Sequence, residues 1–312
     1  MHKISIIMST YNDEKFIWES IESILNQSFE DFEFIIINDC SKDNTSNIIK
    51  KYQEKDERIR VINNNKNIWL TKNLNKWLKL AKWKYIARMD ADDIALKDRL
   101  KTQYEYLEKN KDIFLIWWWA EVIDEKWNFK YNYKPICWVK KVSRTLEKWN
   151  CIYHPTIMFR NEWFLYREKF VYTQDYDFYL TLLSAWKKID NICDKLIKYR
   201  VNSNSISWTK NSKQRLFREK AKEFYFQRKK NWKDNYDKFD NKEILEIDVK
   251  NSTNKIVLQW QIVSNFELWN FKESRLYSKK YFKYYGVLNK YLFYYLLSFT
   301  NKSIISFIKK II

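Results

Sequence analysis

The sequence predicts an α/β protein with a mostly parallel sheet flanked by helices, and two observations carry that prediction. Short apolar runs alternate with helical patterns through the first 90 residues. Each of the clearest runs ends in polar or acidic residues. Strands alternating with helices at this spacing form parallel sheets, and such sheets bind ligands beyond the carboxyl ends of their strands, where these polar clusters fall.

Taken in order, Ile4 to Met8 form a strand-like run followed by Ser9, Thr10, Tyr11, Asn12 and Asp13. Ile17, Ile21, Ile24 and Leu25 then share one face at helical spacing. A second strand over Phe34 to Ile37 ends in Asn38, Asp39, Cys40, Ser41, Lys42, Asp43, Asn44 and Thr45, and a second helix runs through Ile48, Ile49 and Tyr52. Ile59 to Ile62 predict a third strand, residues 70 to 81 a third helix, and Lys84 to Met89 a fourth strand. That strand delivers Asp90, Ala91, Asp92 and Asp93 between Arg88 and Lys97. Carboxylates clustered at a strand end can hold a hard divalent cation, and Mg²⁺ or Mn²⁺ bound this way usually accompanies substrate phosphates. The plain alternative for an acidic run is a solvated turn.

The run Ser5 to Asn12, the cluster Asp39, Ser41, Asp43 and Thr45, the stretch Tyr85 to Asp93, then His154, Pro155 and Thr156, and finally Gln174, Asp175, Tyr176 and Asp177 resemble, in order and spacing, the family 2 glycosyltransferases of GT-A fold. The resemblance covers roughly residues 3 to 208. It implies an inverting transferase that moves a sugar from a nucleoside diphosphate sugar, UDP-linked, to a hydroxyl of a cell-surface glycan or glycolipid. By the same resemblance Asp92 would ligate Mn²⁺ or Mg²⁺, with Asp90 near the ribose and the metal shell. Asp39 would accept a hydrogen bond from the nucleobase, Thr10 and Tyr11 would line the base pocket, Lys72 would offer positive charge to the donor, and Asp175 would be the general base. Two positions depart from the family pattern: Gln174 stands where many members have Glu, and Asn202 where they have His. The second puts a third protein ligand to the metal in doubt. His154 reads equally as a structural or a functional histidine.

Composition holds an anomaly. At the usual frequency of ~7% a chain of this length would carry about 22 glycines, yet it has 1 Gly and 16 Trp. Turns without glycine are awkward because positive φ is costly for a residue with Cβ. The tryptophans stand where glycines are wanted. Trp69, Trp77 and Trp83 fall at glycines of the family motifs, and Trp117, Trp118 and Trp119 are expected at the end of a strand. Trp127 falls in a hairpin-like turn and Trp269 between two helical patterns, both places that favour glycine. A gene read in its own organism with UGA as glycine would explain this; a lineage rich in true tryptophan is the alternative. Cys40 likewise follows Asp39 where the family has glycine.

Lys+Arg number 58 against 39 Asp+Glu, a net charge of +19. Such a field attracts nucleotide sugars, phospholipid headgroups or nucleic acid, although solvated surface lysine is the simpler reading. No zinc-finger spacing or RNA-binding aromatic pattern accompanies it, so nucleic acid is not expected as a partner. The four cysteines show no Cys-x-x-Cys pair and no signal peptide precedes them, which predicts a cytoplasmic setting. The expected domains are residues 1–208, carrying the chemistry, and a helical region 209–312. In the latter, Tyr291 to Phe299 are too few to span a bilayer. With Lys302, Lys309, Lys310 and the isoleucines near the end, the tail reads either as a basic amphipathic segment on the inner face of an anionic membrane or as plain packing. Two other classes compete. A metal-dependent nucleotidyl- or phosphotransferase would use paired carboxylates, but the Gly-rich Lys-Ser/Thr phosphate loop is absent even with every Trp restored to Gly. A noncatalytic basic membrane- or nucleic-acid-binding protein would explain the charge but not the ordered carboxylates.

Overall fold

The computed structural model describes residues 3–132, 139–201, 211–287, 289–300 and 305. Asn202, Cys137, Trp138, Trp208, Lys302, Lys309, Lys310 and the terminal isoleucines lie outside them. The chain divides into two compact units, Met1–Trp208 with Lys220–Phe239, and Thr209–Glu219 with Asp240–Ile312.

The first unit is built on a nine-stranded mixed sheet. Strands β1 (Ile4–Thr10), β2 (Phe32–Asn38), β3 (Ile59–Asn63) and β4 (Tyr85–Asp90) run parallel in the order β3-β2-β1-β4. Helices α1 (Ile17–Leu25), α2 (Thr45–Gln53) and α3 (Leu70–Leu80) connect them. Then follow β5 (Ile94–Ala95), α4 (Arg99–Lys109), β6 (Ile113–Asp124), β7 (Phe129–Asn132), α5 (Val139–Leu146), a 3₁₀ turn (His154–Thr156), β8 (Met158–Arg160), α6 (Gln174–Ser184) and β9 (Lys188–Val201). Beyond β4 the sheet continues β8-β6-β9-β5, with β7 on β6. Strand β8 is antiparallel to both β4 and β6, whereas β6 and β9 are parallel. This is the GT-A glycosyltransferase architecture, a curled sheet flanked by helices.

The first strands are nearly continuous apolar runs because both faces are covered, as parallel sheets require. Ile4, Ile6 and Met8 join Ile17, Ile21 and Ile24 of α1, Phe34 and Ile36 of β2, and Ala87 and Met89 of β4 in one buried cluster. Full burial of each of these isoleucine, methionine and phenylalanine side chains stabilises by about 1.5–3 kcal/mol. Register then sets the site: Thr10 lies opposite Asn38, and Ser9 opposite Asp90. The polar ends of β1, β2 and β4 are therefore level. β1 is also where the strand order reverses, β2 being added on one side and β4 on the other, and the crevice of an open α/β sheet lies at such a point.

One expectation is corrected here. Trp117, Trp118 and Trp119 do not end a strand but lie inside β6, with Trp117 and Trp118 fully buried. The apolar run from Ile113 continues through them to Ala120, and pairing with β9 runs the length of the strand. Nine described residues other than glycine have positive φ: Asn12, Cys40, Thr173, and the six tryptophans Trp69, Trp127, Trp163, Trp186, Trp232 and Trp269.

The long helix α7 (Asn211–Asn231) is followed by a 3₁₀ turn (Tyr236–Lys238), α8 (Lys242–Leu245), α9 (Lys255–Glu267), α10 (Phe271–Tyr285) and α11 (Tyr291–Leu297). In the second unit Leu258 and Ile262 of α9 pack with Tyr277 and Tyr281 of α10 and Tyr291 of α11. Buried Ser274 and Ser278 are small enough to let α9 and α10 approach, and the Ser274 hydroxyl donates to the Ile262 carbonyl at 2.9 Å. No helix among the described residues is long and apolar enough to cross a membrane.

Candidate active site

Two loops at the rim are laced together by side-chain bonds to main chain. The amide of Asn12 donates to Ser41 Oγ (3.0 Å), that of Asp13 to Thr45 Oγ1 (2.9 Å) and that of Glu14 to an Asp43 carboxylate oxygen (3.1 Å), while Asn12 Oδ1 accepts from the Lys42 amide (2.7 Å). Polar residues after β1 and β2 thus satisfy a loop that has no ladder to join. Thr10 is buried and its hydroxyl donates to Asp13 Oδ2 at 2.7 Å, whereas Tyr11 is exposed.

Asp39 follows β2 and is 3% exposed. Its carboxylate accepts from the amides of Ile68 (3.0 Å) and Trp69 (3.1 Å) and from Asn64 Nδ2 (2.8 Å). Immediately after these two amides the backbone turns, with Trp69 at φ 68°, ψ 160°, a region nearly exclusive to glycine. Lys72, one turn into α3, is exposed.

After β4, oxygens of Asp90, Asp92 and Asp93 all lie within 4.8 Å of one another. Buried Arg88 forms an ion pair with Asp90, with Nη1 donating to Oδ2 at 2.7 Å. Asp93 is fully buried; its Oδ1 accepts the Arg200 amide at 2.8 Å, and its Oδ2 has no hydrogen-bond partner among the described residues. The Arg200 guanidinium holds the Asp92 carbonyl at 2.9 Å and Glu19 at 2.8 Å, which ties β9 and α1 to the turn. Burial, then the charges of Asp90 and Asp13, push Asp92 up to about 7. Burial and the neighbouring Asp92 and Asp90 charges raise Asp93 well above the ordinary carboxylate range. Burial also raises Asp13, despite the Thr10 hydroxyl and with Asp90 adding to the shift. Such crowding of like charges is unfavourable alone and favourable around a cation. An all-oxygen donor set with a buried, unpartnered Asp93 Oδ2 fits a hard divalent ion.

Asp175 stands apart, in the first turn of α6. Burial raises its pKa, while the Tyr176 amide and the Asn150 side-chain amide, at 2.8 Å, work the other way. Arg88 links the two places: its charge opposes the upward shifts of Asp92, Asp93 and Asp175. His154 is a packed residue, its Nε2 bonded to the Tyr166 hydroxyl at 2.8 Å, and burial followed by the Arg88 charge holds it neutral, well below its usual value. Its neighbours are those of a structural histidine.

Sequence reasoning brought Asp90 and Asp92 together correctly, but it did not assign roles to Asp13, Arg88 or Asn150. Asp13 enters through the side-by-side pairing of β1 and β4, and Asn150 through a contact across 25 residues; neither has a local signal. No hydrogen bond joins Lys72 or Asp39 to the acidic turn among the described residues.

Comparison with known proteins agrees with this geometry. The profile of glycosyl transferase family 2 matches residues 5–171. An uncharacterised glycosyltransferase of Methanocaldococcus jannaschii is 38% identical over 236 residues, 74% of this chain and 79% of the relative. The O-antigen biosynthesis glycosyltransferase WbnJ of Escherichia coli is 34% identical over 215 residues, 65% of this chain and 81% of the relative. Among solved structures, S. aureus TarS residues 1–349 with UDP-GlcNAc superposes with a TM-score of 0.60 at 17% identity, covering 95% of this chain and 91% of the other.

Proposed function

The chain belongs to glycosyl transferase family 2 and is a glycosyltransferase; from that premise we propose that it transfers a sugar, with inversion, from a UDP-sugar to a hydroxyl of a cell-surface glycan or glycolipid. The observation that carries this reading is that carboxylates stand on two different elements, the crowded turn after β4 and Asp175 in the first turn of α6, with the Arg88 charge felt at both. Inverting transfer needs two such places, since one group must take the acceptor proton while another neutralises the departing diphosphate. Asp92 and Asp93, with Asp90 steadied by Arg88, would hold Mn²⁺ or Mg²⁺. Bound there, the cation supplies charge neutralisation at the diphosphate. Asp39, already aimed by two amides, would accept from the nucleobase beside Thr10 and Tyr11, and Lys72 would add positive charge to the donor side. Asp175 would take the acceptor's O–H proton as the oxygen bonds the anomeric carbon and the bond from that carbon to the diphosphate oxygen breaks. The names of relatives support a glycan acceptor, because WbnJ is an O-antigen transferase; a uridine donor is supported by TarS, solved with UDP-GlcNAc and with UDP. The test is release of nucleoside diphosphate from a panel of nucleoside diphosphate sugars with and without Mn²⁺. Turnover that ignores Mn²⁺ and survives loss of Asp92 would overturn the metal assignment.

The second unit supports a membrane-surface role in the same reading. Lys272, Leu276, Lys279 and Lys283 are exposed at helical spacing along α10, and Phe293, Leu296 and Phe299 are exposed along and after α11. Exposed lysines and exposed apolar side chains on one unit suit an anionic bilayer. Sedimentation with phosphatidylglycerol vesicles, lost in high salt and lost with phosphatidylcholine alone, is the expected result.

The tryptophans are best explained as glycines of the native protein. Six of them sit at positive φ, and Trp69 shares its region with the chain's one glycine, Gly286, at φ 80°, ψ 164°. Trp186 and Trp269 occupy left-handed positions after α6 and α9, where the amides of Lys187 and Asn270 reach back to the carbonyls of Leu182 and Asn265, the helix end that glycine favours. The indole N–H groups of Trp77, Trp117, Trp118 and Trp119 are buried with no acceptor among the described residues. Mass spectrometry of the native protein decides: a mass near 38.9 kDa overturns the idea.

A further inference from the structure

Helix α6 is held at both ends by charged side chains. Its N-cap, Thr173, is in a left-handed conformation. The first turn is fixed by Asp177, fully buried, which Arg167 grips through both oxygens, with Nε donating to Oδ2 at 2.8 Å. The same guanidinium reaches Asp234 at 2.6 Å, and Asp234 is also paired with Arg228 of α7. Arg228 Nε in turn donates to Ser184 Oγ in the last turn of α6 at 2.9 Å. Two arginines and one carboxylate therefore hold both ends of the helix that carries Asp175. The strap bearing Arg167 is itself anchored to α3: Asn75 exchanges bonds with the main chain of Tyr166 (2.8 and 2.9 Å), and the Thr71 hydroxyl donates to the Phe170 carbonyl (2.8 Å). The Arg167 guanidinium also lies over the Tyr236 ring at 4.5 Å.

We propose that Arg167, Asp234 and Arg228 are positioning residues that set where the Asp175 carboxylate stands relative to the donor side of the site. The inference rests on the reading of Asp175 as the base. Replacing a largely buried ion pair by hydrophobic residues of similar volume is often neutral or stabilising, so the value of this one is the fixed geometry it imposes. Misplacing a catalytic group by about 1 Å can cost ~10²-fold in rate.

The test uses the full-length chain and Asp234→Asn, which keeps the shape of the side chain but removes the charge both arginines share. Two quantities are measured: amide hydrogen exchange over residues 174–184, and UDP release from UDP-GlcNAc in wild-type and Asp175→Asn backgrounds. Exchange in α6 should quicken about fivefold or more while β1 to β4 stay unchanged, a local rather than global opening. Turnover should fall ~10-fold with KM within about twofold, Asp234→Glu should recover part of the loss, and Asp234→Asn should cost nothing further once Asp175 is Asn. Unchanged exchange in α6 overturns the clamp, whichever sugar the enzyme prefers. So does an equal loss of turnover in both backgrounds. Full turnover by Asp175→Asn alone would instead sink the base assignment, leaving the exchange result to judge the clamp.

Discussion

At the turn after β4, Asp90, Asp92 and Asp93 crowd one another, and Arg88 is paired to Asp90, whereas at the start of α6 Asp177 is gripped through two oxygens and Asp175 accepts from the amides of Tyr176 and Asn150. Both places bury carboxylates, but they resolve the cost differently. Around α6 the Asp177 and Asp234 charges are matched by Arg167 and Arg228, so the frame that carries Asp175 is complete as it stands. At the turn three carboxylates crowd within 4.8 Å, and the pKa of Asp92 climbs to about 7 because burial and two neighbouring carboxylates favour the neutral form. A frame closed by its own ion pairs serves to hold a proton acceptor still; a cluster of like charges suits a ligand of opposite charge.

The sharpest way to break this contrast is at Asp175. Asp175→Asn keeps the bond geometry but removes the proton acceptor, so transfer to an acceptor hydroxyl should fall ~10²- to 10⁴-fold, with binding of UDP unchanged by calorimetry. The acidic limb of the wild-type rate profile should lie above the ordinary carboxylate value of 3.8, because burial raises Asp175 and the base works only when ionised. Next comes Asp92→Ala, which should lower Mn²⁺-dependent release of nucleoside diphosphate by ~10²- to 10³-fold, the scale of losing an electrostatic stabiliser. If the two places differ as described, added Mn²⁺ should raise the melting temperature of Asp175→Asn but not of Asp92→Ala.

Stability should separate the two places in the opposite sense. Asp177→Asn leaves the Arg167 guanidinium with Asp234 and a neutral amide in place of its fully buried partner, and losing a charge-assisted contact of this kind costs about 1.5–3 kcal/mol. Asp93→Asn keeps an oxygen for the Arg200 amide and removes one of three repelling charges, so without metal the change should stay within about 1 kcal/mol. Urea unfolding of both variants in a chelating buffer measures the difference; equal costs would show that the turn is as self-sufficient as the helix.

How much of this was legible depends on how far apart the partners lie. Strands β1 to β4 could be read because each is an apolar run closed by polar residues, and the structure extends them by no more than a few residues. The acidic turn was legible as a local run. What could not be read is what sequence separation hides: Asp13 meets Asp90 through strand pairing, the Asp175 partner Asn150 lies 25 residues back, and Asp234 reaches Arg167 across 67 residues. Strands β5 and β8, two and three residues long, carry no periodicity to detect. Trp117 to Trp119, expected at the end of a strand, lie inside β6 because the apolar run simply continues into the core.

The smallest expected effect lies between the two places, at His154, which the Arg88 charge and burial keep neutral. Its pKa in the folded protein is far below the model-peptide value of 6.5, so the unfolded chain binds a proton that the native protein does not as pH falls through 6.5. Stability present above that pH is therefore lost on acidification, by at most ~1.4 kcal/mol per pH unit. Burial acts with the opposite sign on Asp93, Asp175 and Asp177, whose raised values favour the native state as pH drops toward the carboxylate range. The net slope mixes both, so the informative quantity is the difference from His154→Gln, which keeps a polar group for the Tyr166 hydroxyl but does not titrate. Between pH 7.5 and 5.5 wild type should lose about 1 kcal/mol more than this variant in urea unfolding. Parallel curves would mean that His154 titrates alike in the folded and unfolded protein, so that neither burial nor the Arg88 charge depresses it.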